Sequence, residues 1–363
     1  MLNMKVLSKY KKRKLKNLLS PFYRLFINKK PLIVFEAYTA FHLEHFKSVI
    51  LNLSASNAVN IAIIGPVDQD IIKLERVSFY EKSRLFPFHK KPDLFISTDF
   101  GRIPYWFSCT SVYFGHGIGP KLNYQASEGL YEFDYVFSPC RPIYDTQIKI
   151  LPEEKILPVG LPILDKKGNL LDDVLKKYAL NEKPIVLYAP SWCSDSSKIS
   201  DIKSIINFLR KKNNFNIIIS PHPLLFNPDR CDGTDFFSGT ESIDGLHLNT
   251  PDSEFSTLDL VKASSVVLSD ISSILFEAMA LDLRVLFDGN KELYEYSEAL
   301  DVYEEVIKVC MIPDWLNEND RTIEDIINYD ELFDKRKIFI NRYLFNPGQA
   351  GDIFIDRINS ILS

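Results

Sequence analysis

Two histidines and one acid–hydroxyl cluster hold the chemistry in this sequence, and each follows a short apolar run. Val266–Ser269 is such a run, ending in Asp270-Ile271-Ser272-Ser273 before the helix-forming Ile274–Ala280. Ser272 or Ser273 is placed to cap that helix. A strand would then hand over to the outward-pointing amides of a helix start, where the dipole favours a phosphate. Glu277 lies one turn beyond Ser273 on the same helix face, within reach of a nucleotide ribose.

The histidines sit in comparable places. Ser111–Phe114 reads as a strand and runs into Gly115-His116-Gly117-Ile118-Gly119-Pro120-Lys121, whose glycines permit a sharp turn and a close ligand approach. Asn216–Ser220 reads as a buried strand ending in Pro221-His222-Pro223, where Pro223 holds His222 extended. Both imidazoles therefore follow the carboxyl ends of predicted parallel strands, the edge at which open α/β sheets bind ligands. An imidazole titrates near neutral pH, as proton transfer requires. The helix pair His42 and His45 and the isolated His89 and His247 show no comparable setting; the pair is expected on a helix surface or a domain interface. Tyr188 and Trp192 are expected to pack beneath a ligand loop.

The elements that must position these groups form two βα series. The first holds strands at Pro31–Glu36, Asn60–Pro66, Asp93–Thr98, Ser111–Phe114, Tyr135–Pro139 and Ile156–Pro162, with a helix through His42, His45 and Ile50. A helical segment at Asp172–Tyr178 follows. The second series has strands at Pro184–Trp192, Ile217–Ser220, Val266–Ser269 and Arg284–Phe287, separated by helices near Ile202–Lys212, Leu258–Ala263 and Glu277. Ile323–Tyr343 and Gly351–Leu362 read as helical. Continuous apolar strands predict parallel sheets covered on both faces. The expected organisation is an arm at 1–30, a Rossmann-like acceptor domain at 31–168, a Rossmann-like nucleotide-donor domain at 169–345, and a C-terminal helix at 346–363 that crosses back. The cleft between the domains is the default site.

At 363 residues, with 46% hydrophobic and 25% charged residues, the composition is that of a soluble globular protein of two domains. Five scattered cysteines with no CxxC pair or Cys/His cluster argue against a zinc site or a disulfide framework, and for a cytoplasmic setting. Residues 1–30 hold ten Lys or Arg and no acid, so the net charge of −5 divides into +10 for this arm and −15 for the rest. Leu15, Leu18, Leu19, Phe22, Tyr23 and Phe26 recur there at helical spacing. A basic amphipathic helix of this kind suits an anionic membrane surface. Pro21 and Arg24 interrupt an apolar stretch too short to span a bilayer. The acidic body offers no basic track for nucleic acid.

Gly115-His116-Gly117 with Pro120-Lys121, Phe133-Asp134, Val159–Pro162, Leu187–Trp192, His222-Pro223 and Ser269–Ser273 occur in an order that resembles the CDP-glycerol glycerophosphotransferases, builders of poly(glycerol phosphate) in teichoic acids and capsules. The resemblance covers roughly residues 110–295. It implies a GT-B architecture and metal-independent transfer from a CDP-activated donor to a polymeric or lipid-linked acceptor at the inner face of the plasma membrane. For phosphoryl transfer, His116 would take the acceptor hydroxyl's proton, His222 would donate to the pyrophosphate, and Asp270 would orient His222 or the donor's glycerol hydroxyls. Gly117, Pro190, Ser191, Ser269, Ser272, Ser273 and Glu277 would hold the donor, and Lys121 the acceptor. Two departures are Cys193, where members carry arginine, and Ile271, where they carry an aromatic. Because Phe276–Val285 is similar to the nucleotide-sugar signature of GT-B glycosyltransferases, CDP-ribitol or a nucleotide sugar stays open as donor. An epimerase-like or non-catalytic binding protein is the remaining alternative.

Overall fold

A computed structural model describes residues 30–82, 85–86, 91–100, 109–115, 117–120, 127–165, 170–212, 214–238 and 246–363. The basic arm, His89, His116 and Lys121 lie outside the described residues. The chain divides into two compact units, one of residues 1–117, 124–165 and 344–363, the other of residues 118–123 and 166–343.

The first unit is built on a parallel sheet: β1 (Leu32–Glu36), β2 (Asn60–Ile64), β3 (Val77–Tyr80), β4 (Leu94–Ser97), β5 (Thr110–Tyr113), β6 (Tyr135–Ser138) and β7 (Ile156–Pro158), in the order β3-β2-β1-β4-β5-β6-β7. Helix α1 (Ala40–Ser56) follows β1; Thr39 caps its start and Asn57, in the left-handed region at φ 56°, ends it. Helix α2 (Arg141–Gln147) joins β6 to β7. The C-terminal helix Ala350–Leu362 belongs to this unit. Its Phe354 meets Phe46, Phe114 and Phe137 edge-on at 6.4, 5.0 and 4.9 Å between ring centroids. The Asp165 carboxylate accepts the amides of Ala350 and Gly351 at 3.1 and 2.6 Å, covering two donors at the helix start.

The second unit carries α3 (Leu171–Lys177), β8 (Ile185–Ala189), α4 (Ile202–Leu209), β9 (Asn216–Ile219), β10 (Leu246–Leu248), α5 (Thr257–Ala263), β11 (Val266–Ser269), α6 (Ser273–Ala280), β12 (Arg284–Phe287), α7 (Lys291–Tyr296), α8 (Leu300–Val306), α9 (Thr322–Asn328) and α10 (Phe333–Tyr343). Its parallel sheet runs β10-β9-β8-β11-β12, with β8 and β11 central and fully buried. Parallel order brings the carboxyl ends of β8, β9, β11 and β12 to one edge.

Three expectations are corrected. β3 and β10 are strands that apolar runs do not announce: both are edge strands, and Ser78 and His247 interrupt them. The helix expected over 323–343 is two, because the Asp330 side chain accepts the Leu332 amide and pairs with the buried Arg336 between them. His45 is not on the exposed helix surface; it is buried, edge-on to Phe41 at 4.9 Å.

Candidate active site

The four strand ends of the second unit deliver Pro190–Trp192, His222, Asp270–Ser273 and Asp288 to one edge of its sheet. Backbone bonds tie the loops together: the His222 amide donates to the Pro190 carbonyl at 3.0 Å. The exposed His222 ring accepts the Leu224 amide at Nδ1, 3.2 Å away. A neutral imidazole so held carries its proton on Nε2. The half-buried Trp192 stacks against it, 6.3 Å between centroids and 26° between planes, and Trp192 Nε1 donates to the Arg230 carbonyl at 3.0 Å. A cavity of about 480 Å³ opens a few residues further on, lined by Leu225, Phe226, Phe237 and Leu248 with Asp235 and Thr250.

Asp270 is fully buried, and its two oxygens take separate tasks. Oδ2 accepts the Ser191 amide at 2.8 Å and Oδ1 the Ser272 amide at 3.0 Å. The carboxyl therefore joins the loop after β8 to the start of α6. Ser269 Oγ donates to the Ala189 carbonyl at 2.5 Å, a strand-to-strand pin in a buried setting rather than a group turned to solvent. Ser191 Oγ is buried without a hydrogen-bond partner.

The start of α6 is more occupied than an open anion cradle. Ser272 Oγ accepts the Ile274 amide at 3.3 Å, so Asp270 and Ser272 together satisfy two first-turn donors. Ser273 Oγ accepts the amides of Ile118 and Gly119, at 3.1 and 3.0 Å, and Tyr343 donates its hydroxyl to the Ile118 carbonyl at 2.9 Å. The glycine-rich segment thus rests on the helix start. A Cβ at Gly119 would stand 3.0 Å from the Ser273 amide nitrogen, closer than side chains ordinarily pack. Gly115 and Gly117, at φ 71° and 73°, bracket residue 116 in backbone that side-chain-bearing residues rarely adopt. Among the described residues no acceptor takes the hydroxyl protons of Ser272 and Ser273.

Glu277 is 1% exposed, and Oε1 has no hydrogen-bond partner. Burial pushes its carboxyl up to about 7, against the opposing charge of Lys262. Asp288, 7% exposed, is a residue that the sequence reading missed. Burial, then the Asp270 charge, raise its carboxyl to about 8, opposed by bonds from Ser200 and Asn290. Its signal was present, since Arg284–Phe287 ends in an acid just as Val266–Ser269 does. Among the described residues, then, His222, Ser191, Asp270, Ser272 and Ser273 converge on one sheet edge with Asp288, while Ser269 and Glu277 are enclosed.

Across its whole length the chain is similar to the Wall Teichoic Acid Polymerase TagF: 15% identity, TM-score 0.64, 100% of this chain and 99% of that one, for a histidine-to-asparagine variant soaked with CDPG. It is also similar to an S. aureus MnaA–UDP structure (14%, TM-score 0.62, 92% and 97%) and to UDP-GlcNAc 2-epimerase from Neisseria meningitidis bound to UDP-GlcNAc (16%, TM-score 0.56, 91% and 99%). A search of the curated proteins finds no match. At these identities the likeness carries the fold, and with two parallel α/β sheets the class is a GT-B protein. The sequence model of the CDP-Glycerol:Poly(glycerophosphate) glycerophosphotransferase family matches residues 120–357, and the chain belongs to that family. It is accordingly a transferase of the CDP-glycerol glycerophosphotransferase type.

Proposed function

We propose that His222 and the start of α6 handle the pyrophosphate of CDP-glycerol while an acceptor hydroxyl attacks its β-phosphorus. The new P–O bond forms as the bond to the bridging oxygen breaks, and CMP leaves. His116 takes the hydroxyl proton, and the Nε2–H of His222 donates a hydrogen bond to the departing phosphate, which leaves as the CMP anion. The hydroxyls of Ser272 and Ser273 and the Ser273 amide offset the developing charge. Asp270 acts as a positioning residue, holding the Ser191 and Ser272 amides in place. Ser191 and Pro190 line the donor side, Gly117 lets the donor approach, and Lys121 meets an acceptor phosphate. Glu277 accepts from ribose hydroxyls, which requires the side chains that enclose it to yield.

The observation that carries this reading is the His222 ring, tethered through Nδ1 on the same sheet edge as a capped helix start, in a chain of this family. Transfer is proposed to need no metal, the hydroxyls and amide at the start of α6 offsetting the developing charge instead. The acceptor is proposed to be membrane-borne, with the basic arm placing the enzyme at an anionic cytoplasmic surface. Among the described residues no helix is long and apolar enough to cross a membrane.

Purified protein is incubated with CDP-glycerol, CDP-ribitol and UDP-sugars, with and without a chelator. CMP release from CDP-glycerol that persists under chelation is the expected result. UDP release alone would replace the phosphoryl mechanism with glycosyl transfer.

A further inference from the structure

Residues 118–123 belong to the second unit, although β5, the strand before them, belongs to the first. Three backbone bonds seat them. Ser273 Oγ accepts the amides of Ile118 and Gly119 at 3.1 and 3.0 Å, and the Tyr343 hydroxyl donates to the Ile118 carbonyl at 2.9 Å. The Ile118 carbonyl and the Gly119 amide belong to one trans peptide group, so they point to opposite sides of it. Ser273 and Tyr343 therefore grip one peptide plane from both sides, and the Ile118 amide fixes the plane before it.

Both gripping groups are placed by α6. Ser273 opens that helix, and Phe276 on its first turn stacks on the Tyr343 ring, 4.7 Å between centroids and 17° between planes. Phe339 packs on the same buried ring at 5.4 Å. Packing thus fixes the tyrosine before its hydroxyl is used, and little further side-chain freedom is lost in making the bond. On the other side, only the two dihedrals of Gly117, at φ 73°, separate the gripped peptides from residue 116.

We infer that Tyr343 is a positioning residue for His116: with Ser273 it fixes the peptide groups from which the chain turns back, through Gly117, to the base. His116 itself lies outside the described residues; the backbone that follows it does not. Ser273 uses its lone pairs on the two amides and keeps its proton for the donor phosphate, so one hydroxyl serves both the base and the leaving group. The role of Tyr343 rests on His116 being the base of the proposed transfer; the grip on the peptide does not. A base misplaced by about 1 Å can cost up to about 10² in rate.

Tyr343→Phe keeps the stack on Phe276 and removes the hydroxyl alone. CMP release from CDP-glycerol is followed, with glycerol 3-phosphate as soluble acceptor, in wild type, Tyr343→Phe, His116→Ala and the double variant. The kcat of Tyr343→Phe is expected to fall about 10- to 10²-fold, with KM for CDP-glycerol little changed. In the His116→Ala background the same substitution should cost less than about twofold, because no base is left to misplace. An equal loss in both backgrounds, an unchanged kcat, or a change in KM alone overturns the positioning role. His116→Ala at wild-type kcat removes the base from the reaction, and the role of Tyr343 with it.

Hydrogen exchange in ligand-free protein decides the grip without a donor. The Ile118 and Gly119 amides should be protected in wild type and should exchange at least about fivefold faster in Tyr343→Phe. Equal exchange in the two proteins overturns the grip. Unprotected amides in wild type overturn it even if Tyr343→Phe folds poorly. Absence of CMP release by wild type removes the transfer reading and the role within it, while exchange still decides the grip.

Discussion

The indole of Trp192 lies against the imidazole of His222, and each ring is fixed by a backbone group, Arg230 carbonyl for the one and Leu224 amide for the other. The ring that presents Nε2 is thus held from two directions. Replacing His222 by Ala should lower kcat by about 10² to 10³, the range for losing a hydrogen-bond donor to developing charge. Trp192→Ala should lower kcat less and Trp192→Phe least, with KM for the donor little changed, since Trp192 acts through His222. Steady-state CMP release distinguishes the three.

Gly119 is predicted to admit no side chain. Its Cβ would crowd the Ser273 amide at 3.0 Å, the Ile271 carbonyl at 3.2 Å and the Ser273 hydroxyl at 3.2 Å. Gly119→Ala should cost roughly 1–3 kcal/mol by overpacking and weaken donor binding, because the added methyl covers the Ser273 amide. Chemical denaturation and donor calorimetry read the two effects separately.

Glu277 makes stability depend on pH. Its carboxyl is raised from 4.5 to about 7 in the folded protein, so its stabilising contribution is complete below about 4.5 and is lost as pH rises through about 7. Glu277→Gln should remove that slope, worth on the order of 3 kcal/mol across the window. If ribose binds there, donor affinity should fall as well. Unfolding midpoints across the pH range test the first statement and calorimetry the second.

Asp165 holds the C-terminal helix through two backbone amides. Asp165→Ala should destabilise the first unit by about 1–2 kcal/mol, as expected for loss of a helix cap. Hydrogen exchange should rise first at residues 350–354, and CMP release should be affected less than stability.

The basic arm predicts a salt-dependent surface interaction. Deleting residues 1–29 should abolish sedimentation with anionic vesicles and leave hydrolysis or transfer with a soluble acceptor intact. Binding of the full chain should weaken as salt rises, each basic residue near the surface contributing about 1 kcal/mol.

Much of the architecture was legible because buried parallel strands announce themselves as apolar runs. β1, β8, β9 and β11 are of this kind, and so is the helix cap at Ser272. Edge strands β3 and β10 were not, since a half-exposed strand tolerates polar residues and loses the pattern. Asp288 was overlooked for a different reason: its meaning comes from the neighbour that β-pairing sets beside it, and pairing order is not written locally.

Residue type and spacing alone determined where glycine, proline and capping serine bend the chain, and therefore which histidine and which hydroxyls follow strand ends. Those are short-range consequences of backbone sterics and hydrogen bonding. Only the tertiary structure decided which polar groups remain available. It turned Asp270 into a clamp on two amides, consumed Ser269 in a strand contact, seated Gly119 on Ser273 and enclosed Glu277. Burial and partner count arise from segments far apart in the chain, and they set whether a carboxyl is a charge, an acid or a bolt.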